Sequence, residues 1–170
     1  MTEKPEKVAV HIKYKDVEKT FSAAPEEAWL LLSKFFSEFL PSFEIAHKLM
    51  LSVDLQKLAE GCEGLIAFSQ EGTNLLVPKS MLTDNETLLL WLLAGYLGHK
   101  LDLLESDALT KEELQAKLGK SGKITSTRLG ELMKNDVIFR TADEKFRITT
   151  FGVTQMQKDV IPRIKAKVNN

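Results

Sequence analysis

The stretch TKEELQAKLGKSGKITSTRLGELMKNDVIFRTADEKFRIT, from Thr110 to Thr149, decides the fold of the C-terminal half. Thr110 and Glu113 stand at capping-box spacing, where a hydroxyl and a carboxylate each satisfy one orphan backbone N–H, so a helix carrying Leu114 and Leu118 is expected to open here. Gly119 stops it, and Gly119-Lys120-Ser121-Gly122-Lys123 reads as a turn. From Ile124 to Asn135, Thr125, Leu129, Leu132 and Met133 recur at helical steps and mark the inner side of a second helix. Val137-Ile138-Phe139-Arg140, the polar Thr141-Ala142-Asp143-Glu144 and Lys145 to Thr149 then read as strand, tip and strand. The order is helix, short Gly-containing turn, helix, hairpin.

The flanks extend the same unit. After Gly152, Val153, Met156, Val160, Ile161 and Ile164 form an amphipathic segment in which Pro162 is expected to introduce a kink. On the N-terminal side, Thr83 and Glu86 repeat the capping-box spacing and predict a helix to about Lys100. Leu88 to Leu93 leave that helix no polar face, so it is expected to be covered on both sides. Residues 83–170 are thus expected to form one domain, with Pro78 to Leu82 as a linker.

Thr125-Ser126-Thr127-Arg128-Leu129 opening the second helix, Leu132 three residues on, Val137-Ile138 entering the hairpin, and Phe146-Arg147-Ile148-Thr149 followed by Thr150-Phe151-Gly152 together resemble the winged helix-turn-helix superfamily over about residues 86–165. Members commonly carry Gly between the second helix and the hairpin. Here Asn135-Asp136 stands instead, and Asn and Asp are the residues next best suited to left-handed backbone. Along its whole length the chain also resembles small uncharacterised archaeal proteins, a likeness that implies no function. The winged-helix resemblance implies duplex DNA as partner and a role in transcription regulation, with a recognition helix over about 124–135 and a wing over about 137–149. Ser126, Thr127, Arg128 and Lys134 would be presented by the recognition helix, with Ser126 and Thr127 best suited to base edges. Lys120, Ser121 and Lys123 in the turn and Arg140, Lys145 and Arg147 in the wing would serve phosphates. Glu131 falls on the face expected to enter the groove, where it opposes phosphate. Winged helices also serve as protein-interaction modules, and that reading stays open beside DNA binding.

In the N-terminal half, Val8, Val10, Ile12 and Tyr14 alternate with Ala9, His11, Lys13 and Lys15, a strand with one apolar face. A turn near Lys15-Asp16 and a second strand over Val17 to Phe21 complete a hairpin. Pro25, Glu26 and Glu27 open a helix to about Phe39, whose Trp29, Leu32, Phe35, Phe36 and Phe39 make a stripe expected to be core. Phe43 to Leu51 can continue as a helical piece after Pro41, and Asp54 to Gly61 reads as a short helix. Leu65–Phe68 and Leu75–Val77 read as strands joined by Ser69 to Asn74. Residues 1–80 are therefore expected to form an α+β domain of order β-β-α-(α)-β-β, compatible with a β-grasp-like arrangement, and the whole chain is α+β.

The overall charge of −1 hides an asymmetry: residues 1–109 carry 10 Lys and Arg against 17 Asp and Glu, and residues 110–170 carry 13 against 7. A basic C-terminal part points to nucleic acid, although opposite halves that attract each other would carry the same pattern. A protein partner for the N-terminal domain is a further expectation. Val153, Met156, Val160 and Ile164, or the Leu88 to Leu97 helix, could pair two copies, giving a homodimer. The N-terminus lacks a secretory h-region, a lone Cys62 builds no disulfide framework, and Leu88 to Leu97 is about half the roughly 20 apolar residues of a membrane span. A cytoplasmic protein without membrane association is expected.

Catalytic signals are weak. Gly119-Lys120-Ser121 mimics the end of a P-loop, but Leu114 stands where that motif needs Gly and the stretch follows a helix rather than a strand. His11, His47 and His99 are scattered and one Cys gives no zinc spacing, so neither a metal nor another cofactor is expected. No Gly-x-Ser-x-Gly elbow or His-Glu-x-x-His helix is present. The expectation is a binder rather than an enzyme.

Overall fold

The computed structural model describes residues 7–14, 16–39 and 49–168. The expected helical piece at Phe43 to Leu51 lies largely outside them, as do Met1–Glu6, Lys15 and His47. The protein is mixed α+β, strand-rich toward its N-terminus and helix-rich toward its C-terminus. It divides into two compact units, Met1–Met50 and Leu51–Asn170.

In the first unit, β1 (Val8–Tyr14) and β2 (Val17–Ala23) pair antiparallel from Val8↔Ala23 to Tyr14↔Val17. Pro25 supplies a preset φ at the first turn of α1 (Pro25–Phe39), which packs on both strands. Phe35 and Ala28 are buried, and the Phe35 and Phe36 rings meet edge-on with centroids 5.8 Å apart. The expected aromatic stripe is corrected at one end. Trp29 is 57% exposed within this arrangement, because the packed face of the helix runs through Ala28 and Phe35 instead.

The second unit is built around α3 (Asp84–Lys100), which follows α2 (Leu55–Cys62), β3 (Ile66–Ser69) and β4 (Gly72–Leu75). Its capping box is complete: the Thr83 N–H donates to Glu86 Oε2 at 2.8 Å, and the Glu86 N–H donates to Thr83 Oγ1 at 3.2 Å. Leu88, Leu89, Leu90, Leu92, Leu93 and Leu97 are all buried, so the helix without a polar face is enclosed. β3 and β4 pack on α3, inside this unit. The hydropathy pattern groups that hairpin with β1 and β2 in a domain 1–80; among the described residues the two hairpins form separate two-stranded sheets. The β3–β4 turn is also tighter than expected, with Ser69 opposite Gly72 and only Gln70-Glu71 between them. Gly72 at φ 120° takes backbone that L side chains avoid.

A 3₁₀ turn, Lys79–Met81, occupies the expected linker. α4 (Lys111–Leu118) opens on the Thr110/Glu113 capping box and ends at Gly119 in left-handed geometry, φ 71°. α5 (Gly122–Lys134) follows, then Asp136 at φ 56° and the antiparallel pair β5 (Ile138–Arg140) and β6 (Phe146–Ile148). Leu109 bridges to Phe146, its N–H donating to the Phe146 carbonyl at 3.0 Å and its carbonyl accepting from the Phe146 N–H at 2.8 Å. The last helix begins as α6 (Thr150–Gln155), passes through one π turn (Met156–Val160) and continues as α7 (Ile161–Val168). The π turn relieves Pro162, whose ring would clash with an α-helical carbonyl one turn back. Val153, Met156, Ile161 and Ile164 are buried in this unit's own core, as are the leucines of α3. Both seams considered for pairing two copies are therefore occupied internally.

Glu86 ties the start of α3 to α7. It is almost fully buried, and besides capping α3 it accepts from Arg163 Nε at 3.2 Å and Lys167 Nζ at 3.0 Å on α7. Burial opposes its ionisation, but the Thr83 N–H and the Lys167 ammonium outweigh burial and hold its carboxyl below the ordinary value.

Candidate nucleic-acid interface

α5 owes its start to Ser121, whose Oγ accepts from the Ile124 N–H at 3.4 Å while its carbonyl accepts from Thr125 Oγ1 at 3.1 Å. Ser121 is thus an N-cap, which uses the hydroxyl expected for phosphate. Thr125, Leu129 and Leu132 anchor the inner side. The opposite side carries Lys123, Ser126, Thr127, Gly130 and Lys134 at helical spacing; all but Gly130 are exposed. A Cβ built on Gly130 would meet nothing within 4 Å, so the backbone itself is approachable there. Thr127 Oγ1 donates to the Lys123 carbonyl at 3.0 Å and keeps its acceptor capacity outward. Lys120, Lys123 and Lys134 make no ion pair with the described residues, and the carboxylate that borders the face, Glu131, is paired with Arg128.

Glu131, expected to oppose phosphate, is drawn to the flank. Arg128 Nη1 donates to both of its carboxylate oxygens at 3.0 Å, and Asn85 Nδ2 donates to Oε2 at 3.3 Å. The Arg128 guanidinium, with Asn85, holds the Glu131 carboxyl below its usual value. Arg128 Nε also faces Asp84 Oδ2 at 3.5 Å. Arg128 is therefore a brace between α5 and α3, engaged with two carboxylates.

On the hairpin, Ile138, Phe146 and Ile148 are buried, and Phe139 and Arg140 are exposed. Arg140 Nη2 pairs with Glu144 at 3.0 Å and Lys145 Nζ with Asp143 at 3.5 Å, both at the exposed tip. Such pairs contribute at most about 1 kcal/mol in general and yield readily to a stronger anion. Arg147 is different: it pairs with Asp107, a largely buried carboxylate on the loop before α4. The expected site residues therefore fall into three groups. Lys120, Lys123, Ser126, Thr127 and Lys134 gather on α5 and its leading turn; Arg140 and Lys145 sit in weak pairs at the tip; Ser121, Arg128 and Arg147 are engaged in the fold itself.

Lys79 escaped the sequence reading. It lies in the segment read as a linker, yet it lines one cleft with Lys120. No local signal marks it, because the contact joins segments far apart in sequence. Among the described residues no group of His, Cys, Asp and Glu is arranged to hold a metal ion, and no helix is long and apolar enough to cross a membrane. No protein-family model, curated protein or solved structure matches this chain.

Proposed function

We propose that residues 83–170 act as a winged-helix module that binds duplex DNA, as in transcription regulation, with α5 as the recognition helix and β5–β6 as the wing. The observation that carries this reading is the outward face of α5: two lysines without an ion pair among the described residues, two hydroxyls and a glycine, with the bordering Glu131 carboxylate taken up by Arg128 and Asn85. A major groove admits a helix of this kind, small side chains permit close approach, and the Ser126 hydroxyl can donate to or accept from a base edge while that of Thr127, already donating to Lys123, can accept. Lys120, Lys123 and Lys134 neutralise phosphates, while Arg140 and Lys145 can exchange their exposed partners for phosphate. Arg128 and Arg147 support the module from within and are not phosphate contacts in this reading.

The test is fluorescence anisotropy with a random 20-base-pair duplex over a salt series. Lys123→Ala and Lys134→Ala should each reduce the magnitude of the log–log salt slope by about one, because each neutralised phosphate releases counterions. Unchanged slopes in both variants would reject α5 as the contact surface. A protein-interaction module is the second reading, favoured by the exposure of Ile124 (40%) on α5 and Phe139 (43%) on the hairpin. It becomes the leading one if the wild-type chain shows no duplex binding.

A further inference from the structure

Beside the leading turn of α5 lies a cleft of about 350 Å³ between the 3₁₀ turn Lys79–Met81 and the corner at Gly119-Lys120. Its charged lining is Lys79, Lys120 and Asp84, with the Ser80 hydroxyl beside them. Asp84 already faces Arg128 Nε at 3.5 Å, so its charge is offset from behind. Lys79 and Lys120 are exposed and form no ion pair with the described residues.

The corner brings Lys79 close to the bend. Gly119 takes φ 71°, and a Cβ placed there would stand 3.6 Å from Lys79 Nζ. Glycine is needed here for the left-handed backbone rather than for space, and the bend carries the Lys79 ammonium beside the residue that precedes the Ser121 N-cap. Two ammonium groups and a hydroxyl along one cleft are donors that suit a tetrahedral oxyanion. This is not a P-loop, since Leu114 occupies that motif's first glycine position.

We infer that this cleft binds a phosphate group through Lys79, Ser80 and Lys120, and that the group is a backbone phosphate of the duplex contacted by α5. The assignment of its source rests on the DNA-binding reading; the affinity for phosphate rests on the cleft alone. It adds Lys79, outside the helix-turn-helix and hairpin, to the contact surface.

Two arms on the full-length chain separate the claims. In the first, wild type, Lys79→Ala and Lys79→Arg are compared by duplex anisotropy across salt. Lys79→Ala should lower the slope magnitude by about one and Lys79→Arg should restore it. In the second, the backbone amides of residues 79, 80, 119 and 120 are followed by NMR during titration with inorganic phosphate. Duplex binding with a Lys79-dependent slope supports the inference with the duplex as source. If wild type binds no duplex, yet phosphate shifts these amides saturably and Lys79→Ala abolishes the shift, the cleft takes a free phosphate and the DNA reading fails. Duplex binding unaffected by Lys79→Ala overturns the cleft as a duplex contact and leaves the DNA reading standing, and the absence of a saturable phosphate response in the same protein overturns the cleft altogether. Absence of both duplex binding and a saturable phosphate response overturns both.

Discussion

Removing the Glu86 carboxylate should destabilise the second unit by an amount that the structure sets. In Glu86→Ala the Thr83 N–H loses its partner, a capping loss of about 1 kcal/mol. The bond from Lys167 Nζ, whose partner oxygen is almost fully buried, is charge-assisted and contributes about 1.5–3 kcal/mol. Arg163 is 59% exposed, so its share is about 0.5 kcal/mol. Both cations can return to water when the carboxylate goes, so no stranded buried charge adds to the cost. The sum is about 3–4.5 kcal/mol for Glu86→Ala; Glu86→Gln, which can still accept from Thr83, should lose roughly half of that. The sign with pH follows from the lowered carboxyl. Its contribution is complete above the unfolded value of about 4.3 and disappears as pH falls through the lower folded value. Urea unfolding followed by Trp91 fluorescence, in a Trp29→Phe background so that one tryptophan reports, should show the wild type and Glu86→Gln separated at pH 7 and converging below about pH 4. Equal stability at pH 7, or a gap that persists undiminished into acid, would refute the reasoning.

Gly152→Ala should cost about 3 kcal/mol or more, at the top of the range for over-packed sites. Its Cβ would stand 2.2 Å from the Val137 carbonyl oxygen, which already accepts from the Thr149 N–H at 2.9 Å; a thermal melt close to wild type would contradict this. Cys62 is buried and its thiol is pushed up to about 11, so a disulfide exchange reagent at pH 8 should react with it only after denaturation, and rapid native labelling would show an open site. Arg147→Ala should lower the melting temperature by releasing Asp107 while leaving the DNA salt slope intact, whereas Lys134→Ala should do the reverse; anisotropy and thermal denaturation on the same samples distinguish them.

Local signals in the sequence carried most of the element boundaries. Thr83/Glu86 and Thr110/Glu113 declare helix starts through their own chemistry, Gly119 declares a stop, and alternation along Val8 to Tyr14 declares a strand. Asp136 took the left-handed conformation expected of an Asn-Asp pair. Partner choice was not legible, because it is decided by segments distant in sequence. The β3–β4 hairpin looked like part of an N-terminal sheet, yet α3, apolar all round, needed more cover than the helices alone provide and takes that hairpin. Arg128 and Arg147 read as free cations in a basic segment; Asp84 and Asp107, which engage them, lie in the acidic stretch before it. The charge asymmetry between halves is thus partly spent inside the second unit. Trp29 misled for a similar reason: several apolar stripes run along α1, and packing against β1 and β2 selects one through Ala28 and Phe35.

The most direct test of DNA binding by α5 is the affinity of the wild-type chain for random duplex DNA between about 50 and 200 mM salt. Four phosphates at Lys79, Lys120, Lys123 and Lys134, and up to six when Arg140 and Lys145 exchange their partners, predict a log–log slope of about −4 to −5 and a dissociation constant of about 10⁻⁴–10⁻⁶ M near physiological salt. No salt-sensitive binding below about 100 µM protein at the low-salt end, where nonspecific binders are readily detected, would contradict it.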